Sequence, residues 1–256
     1  MKKPLVITDL TRMQEGRVCI AGYDRDGNCV RPVLPPPGIH ENTLYSRGRP
    51  IVYPFAVVEY DLLQKTPHPP HTEDYRYDPA SVRLIEGLDE KQKRELLDQT
   101  LFQSVGAIFK VPIFSDIGHY VMDGMGPRSL GTVQPSQVKR VTYEQSSDEK
   151  WKYRLGFVDG GGTTYWLTIT DLAFRYYCDY QHNEGQSPTT ISYNLTSVLR
   201  SSEVYLRIGL ARGWEKYPDR CFIQITGVYT FPDYLGGRTF ADFAPPPETK
   251  KAREGM

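Results

Sequence analysis

The sequence predicts a mainly β chain with two or more short helices, folded as two tandem five-stranded barrels. Three observations predict it. Val204, Leu206, Ile208 and Leu210 alternate with Tyr205, Arg207, Gly209 and Ala211, the period-two pattern of a half-buried strand. Turn signals such as Asp24-Arg25-Asp26-Gly27 and Asp159-Gly160-Gly161-Gly162 sit between apolar runs, where a hairpin turns most readily. The second half of the chain also reads strand, strand, strand, helix, strand, strand, and the first half can be read the same way with Ile51 to Leu63 and residues 65–79 as additions.

In the first unit, residues 1–135, Leu5 to Leu10 is a strand candidate, and Arg17 to Tyr23 and Asn28 to Leu34 flank the first hairpin. Pro35 to Pro37 stop it, because proline offers no ladder donor. Ile51 to Leu63 alternates Ala56, Val58, Tyr60 and Leu62 against Val57, Glu59 and Asp61. Residues 65–79, KTPHPPHTEDYRYDP, are a proline-rich excursion. Leu88 to Val105 predicts a helix capped by Asp89, with Leu97, Leu101 and Val105 in one stripe. Short strands are expected at Ile108 to Phe114 and Leu130 to Val133.

The second unit, residues 136–244, begins with strands at Val138 to Tyr143, Trp151 to Val158 and Thr164 to Thr170. Asp171 to Tyr180 is aromatic; it either prolongs the sheet or bends out of it. Ser187-Pro188 opens a helix with serine at the cap and proline at the first position. Glu203 to Ala211 and Cys221 to Phe231 close the unit. The tail 245–256 has nothing to bury and is expected to be disordered. Three strands, a helix and two strands is the element order of an OB-fold, a five-stranded Greek-key barrel.

Composition narrows the function. The 256 residues contain 39% hydrophobic side chains and no apolar run of membrane-spanning length. The N-terminus lacks the apolar core of a secretory signal, so a cytoplasmic protein with no membrane association is expected. Cys19, Cys29, Cys178 and Cys221 form no CxxC pair, which argues for free thiols in a reducing compartment rather than a zinc knuckle. A formal net charge of zero counts against a strongly electrostatic nucleic-acid binder but leaves room for a local basic face.

The segments ITDLTRMQ, GRVCIAGYD, VRPVLP, PFAVVEYDLL, PHTED, RSLGTV, VYLRIGLAR and QITGVYTFPDYL resemble the dual OB domain family of bacteria and archaea, in the expected order over roughly residues 4 to 240. The resemblance implies two OB-folds in a prokaryotic protein and, by association, nucleic-acid binding. It carries over no catalytic residue and no cofactor.

OB-folds bind oligonucleotides over strands two and three, framed by the loops joining strands one to two and four to five. In the second unit those loops are Glu144 to Lys152 and Arg212 to Arg220. Arg154, Trp166 and Thr168 are expected on the outer face, and Tyr205 and Arg207 on the same side of strand four. Arg212, Trp214, Lys216 and Arg220 mix cations with aromatics, as suits a loop that grips phosphate and a flat ring. The alternative for Trp214 is a cap folded on the barrel end, and for Trp166 packing against the other unit. In the first unit Arg17 and Arg31 either contact phosphate or pair with Asp24 and Asp26. His68, His71, Glu73 and Asp74 could in principle bind metal or perform acid–base chemistry, but Pro67, Pro69 and Pro70 argue for a structural arm.

These residues favour a non-enzymatic module, with no cofactor or metal, that binds single-stranded DNA or RNA or a nucleotide-like ligand. The alternative is a protein-interaction module holding a partner or a second copy. A metal-dependent hydrolase or nuclease centred on His71, Glu73 and Asp74 ranks third.

Overall fold

The computed structural model describes residues 1–245; of the expected disordered tail, residues 246–256 lie outside them. The first unit is built on β1 (Lys2–Arg12), β2 (Arg17–Tyr23), β3 (Cys29–Val33), β4 (Ala56–Lys65) and β5 (Asp74–Gly87). Strand β1 is long enough to serve two neighbours. Its N-terminal half pairs with β4 and the rest with β2, across a register shift between Ile7 and Asp9. Gly22 of β2 makes this possible, because a Cβ there would strike the Val6 backbone. β2 pairs with β3, β3 runs parallel to β5, and β5 pairs back to β4. The pairings therefore return to β1, and edge strands disappear. Leu5, Ile7, Leu10, Ile20, Val30, Val58 and Leu62 fill the interior.

Strand β5 revises the expected excursion at 65–79. Only the chain between β4 and β5 leaves the sheet, and Asp74–Gly87 is the longest strand of the molecule. Its period-two signal is broken by register shifts against β4 between Val57 and Val58, Glu59 and Asp61, and Leu62 and Gln64. Each shift moves the side chains beyond it to the opposite parity.

The helix expected from Leu88 to Val105 ends at Gln99; Leu101–Phe102 is a short strand, so Leu101 leaves the expected stripe, and a second helix starts at Val105. α1 (Glu90–Gln99) has Asp89 at its cap, accepting from the Gln92 N–H while Gln92 reaches back to the Asp89 N–H. α2 (Val105–Phe109) replaces the start of the strand expected at Ile108 to Phe114. It turns there because Val105, Ile108 and Phe109, spaced three and four apart, all bury in the second core.

The second unit uses β6 (Leu130–Val133), β7 (Gln137–Gln145), β8 (Trp151–Val158), β9 (Thr164–Thr168), β10 (Glu203–Leu210) and β11 (Arg220–Phe231). β7, β8 and β9 form a meander. β6 pairs with β10 and β10 with β11, while a parallel bridge from Ile169 to Ile225 joins the end of β9 to β11. β6 and β7 act as one bent first strand, so the ring draws in chain upstream of residue 136.

Two helices connect β9 to β10. α3 (Leu172–Asn183) settles the open reading of Asp171 to Tyr180. Asp171 caps it, accepting from the Ala173 and Phe174 N–H groups, and its second oxygen accepts from Val228 N–H of β11. α4 (Pro188–Ser201) starts at the Ser187 cap as expected. Ser192 and Thr196 of α4 accept the N–H groups of Tyr143 and Val141, which satisfies a β7 edge that has no strand beside it.

The barrels interlock. Leu172, Ala173 and Tyr176 of α3 pack into the first core together with Leu235, Phe240 and Phe243 from beyond β11. They close a barrel whose own link from strand three to strand four holds a short 3-10 turn, Glu41–Leu44, and three two-residue strands, but no α-helix. Among the described residues no helix is long and apolar enough to cross a membrane.

Candidate nucleic-acid interface

The meander β7–β8–β9 is two-faced. Val141, Tyr143, Tyr153, Leu155, Phe157, Tyr165 and Leu167 point into the core. The intervening residues point outward, and register aligns them in rows. Arg140 lies opposite Gly156, which lies opposite Trp166; Thr142 lies opposite Arg154, which lies opposite Thr168; Glu144 lies opposite Lys152. Arg140, Lys152, Arg154, Trp166 and Thr168 are all exposed.

Gly156 lets the Trp166 ring lie down. A Cβ at that position would sit 2.6–2.7 Å from the six-membered half of the indole, so any other residue would lift it off the sheet. Arg140 places its guanidinium 5.4 Å from the Trp166 ring centroid, within cation–π range. Trp166 remains 45% exposed. Among the described residues no carboxylate lies within ion-pair distance of Arg140, Lys152 or Arg154. The face thus offers a flat aromatic plate with uncompensated cations beside it, and Glu144 as its one acid along these rows.

Arg140 escaped the sequence reading. The register shift between Val138 and Arg140 reverses the parity that a simple alternation would assign.

The loop from Arg212 to Arg220 is a second cluster. Trp214 and Tyr217 meet edge to face at 5.4 Å, and Lys216 lies 5.4 Å from the Tyr217 centroid. Trp214 is 54% exposed and is no buried cap. Arg220 is held between the Tyr120 and Tyr217 rings and pairs with Asp116 at 2.7 Å, while Arg212 pairs with Asp74 of the first barrel. Arg212 is exposed though paired, and Lys216 and Trp214 are exposed with no ion pair among the described residues.

The remaining expected contacts are buried or paired. Tyr205 lies inside, its hydroxyl 2.6 Å from the Asp98 carboxylate and 2.7 Å from that of Glu203. Arg207 has 0% exposure. Its guanidinium bonds Asp9, the Tyr23 hydroxyl at 2.8 Å and the Thr132 hydroxyl at 2.9 Å. Arg31 is buried against Asp74 at 2.6 Å. Strand parity directed Tyr205 and Arg207 out of their own barrel as expected; Leu97 of α1 packs on Tyr205, and Asp9 and Tyr23 of the other barrel cover Arg207, while Arg31 is held by Asp74 of its own barrel. Arg17 pairs with Glu15 at 3.3 Å on the hairpin, and Asp24 pairs with Lys3 rather than with either arginine.

The His71 segment is built into the same seam. Glu73 accepts from Ser129 N–H and Oγ at 2.7 and 2.9 Å, and Asp74 holds both Arg31 and Arg212. His71 is 1% exposed with neither ring nitrogen bonded. Burial, followed by the charges of Arg31 and Arg212, pushes its pKa down to about 2. A neutral, enclosed imidazole beside carboxylates already engaged elsewhere is poorly placed for acid–base work.

A family model for the dual OB-containing domain matches residues 3–228. The chain belongs to the dual OB-containing domain family. A comparison with curated proteins returns no match. Within the dual OB frame the two barrels differ in availability. The face of strands two and three in the first barrel includes Tyr23 and Arg31, which are buried. The corresponding face of the second, β8–β9, carries Trp166 and stands open.

Proposed function

We propose that this dual OB protein binds single-stranded nucleic acid across the outer face of β7, β8 and β9. The observation that carries the reading is the Trp166 indole seated on Gly156 with Arg140 over its ring. A base stacks on the exposed indole, and Arg140, Lys152 and Arg154 meet the phosphates on either side. Stacking accepts any base, so recognition is expected to be tolerant of sequence. Zero net charge is compatible with this, because Arg140, Lys152 and Arg154 gather on one face with no carboxylate paired to them among the described residues. Four unpaired thiols fit a reducing cytoplasm.

The test is fluorescence anisotropy of a labelled oligonucleotide of about ten nucleotides at low salt, within the site size of an OB-fold. Saturable binding that quenches Trp166 emission is expected. Absence of binding to single-stranded DNA and RNA alike at low salt rejects the reading.

A specific observation favours a second reading, docking of a protein partner. Phe114, Ile117 and Trp214 are 43%, 63% and 54% exposed, and Phe114 and Trp214 connect through Tyr120, Phe222 and Tyr217. Exposed apolar side chains gathered in this way mark interaction surfaces. Sedimentation of the purified protein over a concentration series tests self-association through this patch, with Trp214→Ser as the control.

A further inference from the structure

A cleft of about 800 Å³ opens between the barrels on the side of the molecule formed by Arg49–Phe55, Gly87–Lys93 and Val228–Phe240. Ligand pockets of this size commonly lie at domain junctions and combine aromatic walls with a few polar groups.

The walls are aromatic and held firmly. Tyr53, Phe55 and Tyr229 line the cleft, and the rings of Phe55 and Tyr229 sit 4.5 Å apart at 60°. Phe55 adopts φ 65°, a left-handed conformation that a bulky L-residue takes only when its surroundings impose it. Two hydrogen bonds impose it here: Phe55 N–H donates to Ile7 C=O at 2.7 Å, and Phe55 C=O accepts from Leu88 N–H at 2.9 Å. Phe55 is itself 6% exposed and packs with Leu97, Tyr205 and Phe231, so this held residue forms the floor of the cleft.

The cleft lining holds three carboxylates and three cations, but the carboxylates are already engaged. Asp171 is tied to three backbone N–H groups, those of Ala173, Phe174 and Val228. Asp233 accepts from Leu235 and Gly237 N–H at 3.0 and 2.8 Å. Glu90 pairs with Arg94 at 3.7 Å. By contrast, among the described residues Arg49, Lys93 and Arg238 have no carboxylate within ion-pair distance. Lys93 lies 5.4 Å from the Phe55 ring centroid, so one cation and one aromatic plate already stand together.

We infer that this cleft binds a nucleoside monophosphate, its base against Tyr53, Phe55 and Tyr229 and its phosphate toward Arg49, Lys93 and Arg238. An aromatic interior alone would suit an apolar ligand; three unpaired cations at the same opening call for an anion attached to the ring. The site is separate from the Trp166 face and does not depend on it.

Isothermal titration calorimetry on the full chain, with AMP, GMP, CMP and UMP as probes and inorganic phosphate and adenosine as partial probes, tests the inference. At least one monophosphate is expected to bind saturably, about tenfold or more tighter than phosphate or adenosine alone. Lys93→Glu and, independently, Arg49→Glu are expected to weaken it about tenfold or more, while Trp166→Ala leaves it unchanged. Arg49 is exposed, so its variant reports even if Lys93→Glu fails to fold. No saturable heat with any of the four probes overturns the inference. So does binding that survives both charge reversals, or that is lost with Trp166, since the latter assigns the ligand to the barrel face. Oligonucleotide binding measured on the same variants separates failure here from failure of the proposed function.

Discussion

Arg207 and Asp9 meet across the seam between the barrels, with Nε at 3.0 Å and Nη2 at 2.8 Å from the same carboxylate oxygen. Both side chains are shut off from water. The other Asp9 oxygen accepts from the Thr226 hydroxyl at 2.5 Å. The second barrel is thus fastened to the first by an ion pair that has no access to solvent. Its value lies in how costly it is to break: two charges are removed from water, and each depends on the other.

Removing one partner leaves a buried charge without compensation. Asp9→Ala or Arg207→Ala is expected to cost about 3–5 kcal/mol, read from urea denaturation. The double variant Asp9→Leu with Arg207→Met is expected to lose less than the sum of the corresponding single changes. Strict additivity would show that the pair is not coupled.

Trp166→Ala is expected to weaken oligonucleotide binding by about 1–3 kcal/mol, with little change in the urea midpoint because the side chain is half exposed. Gly156→Val makes the same point with the tryptophan retained. The added side chain displaces the indole from its seat, and affinity is expected to fall toward that of Trp166→Ala. Normal binding by the valine variant would mean that the seat is irrelevant.

The cations act through phosphate. Replacing Arg140 and Arg154 by glutamine is expected to lower the slope of log affinity against log salt by about 0.7 for each phosphate of the single strand that is no longer neutralised. Reduced affinity with an unchanged slope would assign the arginines to packing instead.

Two buried groups set opposing pH trends. Burial, with a smaller contribution from the Asp9 charge and against three hydrogen bonds, raises the Asp171 pKa from 3.8 to about 7. The folded state therefore binds the extra proton between those values, and stability from this group falls as pH rises from about 4 to 7. His71 is lowered from 6.5 to about 2. There the unfolded state binds the extra proton, and stability is lost as pH falls below 6.5. Between pH 4 and 6.5 the two slopes, each about 1.4 kcal/mol per pH unit at most, largely cancel. Compared with wild type, His71→Leu is expected to gain stability as pH falls from 6.5 to 4, and Asp171→Asn to lose it. Urea melts at four pH values check both signs.

Much of the local structure was legible. The hairpin at Asp24–Gly27, the Asp89 and Ser187 caps and the alternation of β10 each depend on neighbours in sequence. Family membership was legible as well, through long motifs in a preserved order. Strand β5 and α3 were harder. β5 loses its alternation at successive register shifts, and α3 is an aromatic run whose buried face is completed by the other barrel.

The chain alone established most of the strands and their hairpin turns, and that Trp166 and Arg154 share a side of their sheet. Those properties follow from backbone periodicity, which is written into consecutive residues. Only the tertiary structure decided which outward side chains meet solvent. Arg207 and Arg154 both leave their barrel on alternating strands, yet one is sealed beneath Asp9 and Tyr23 and the other stands in the open. Period two orients a side chain relative to its sheet; the docking of one barrel on another settles what lies beyond it.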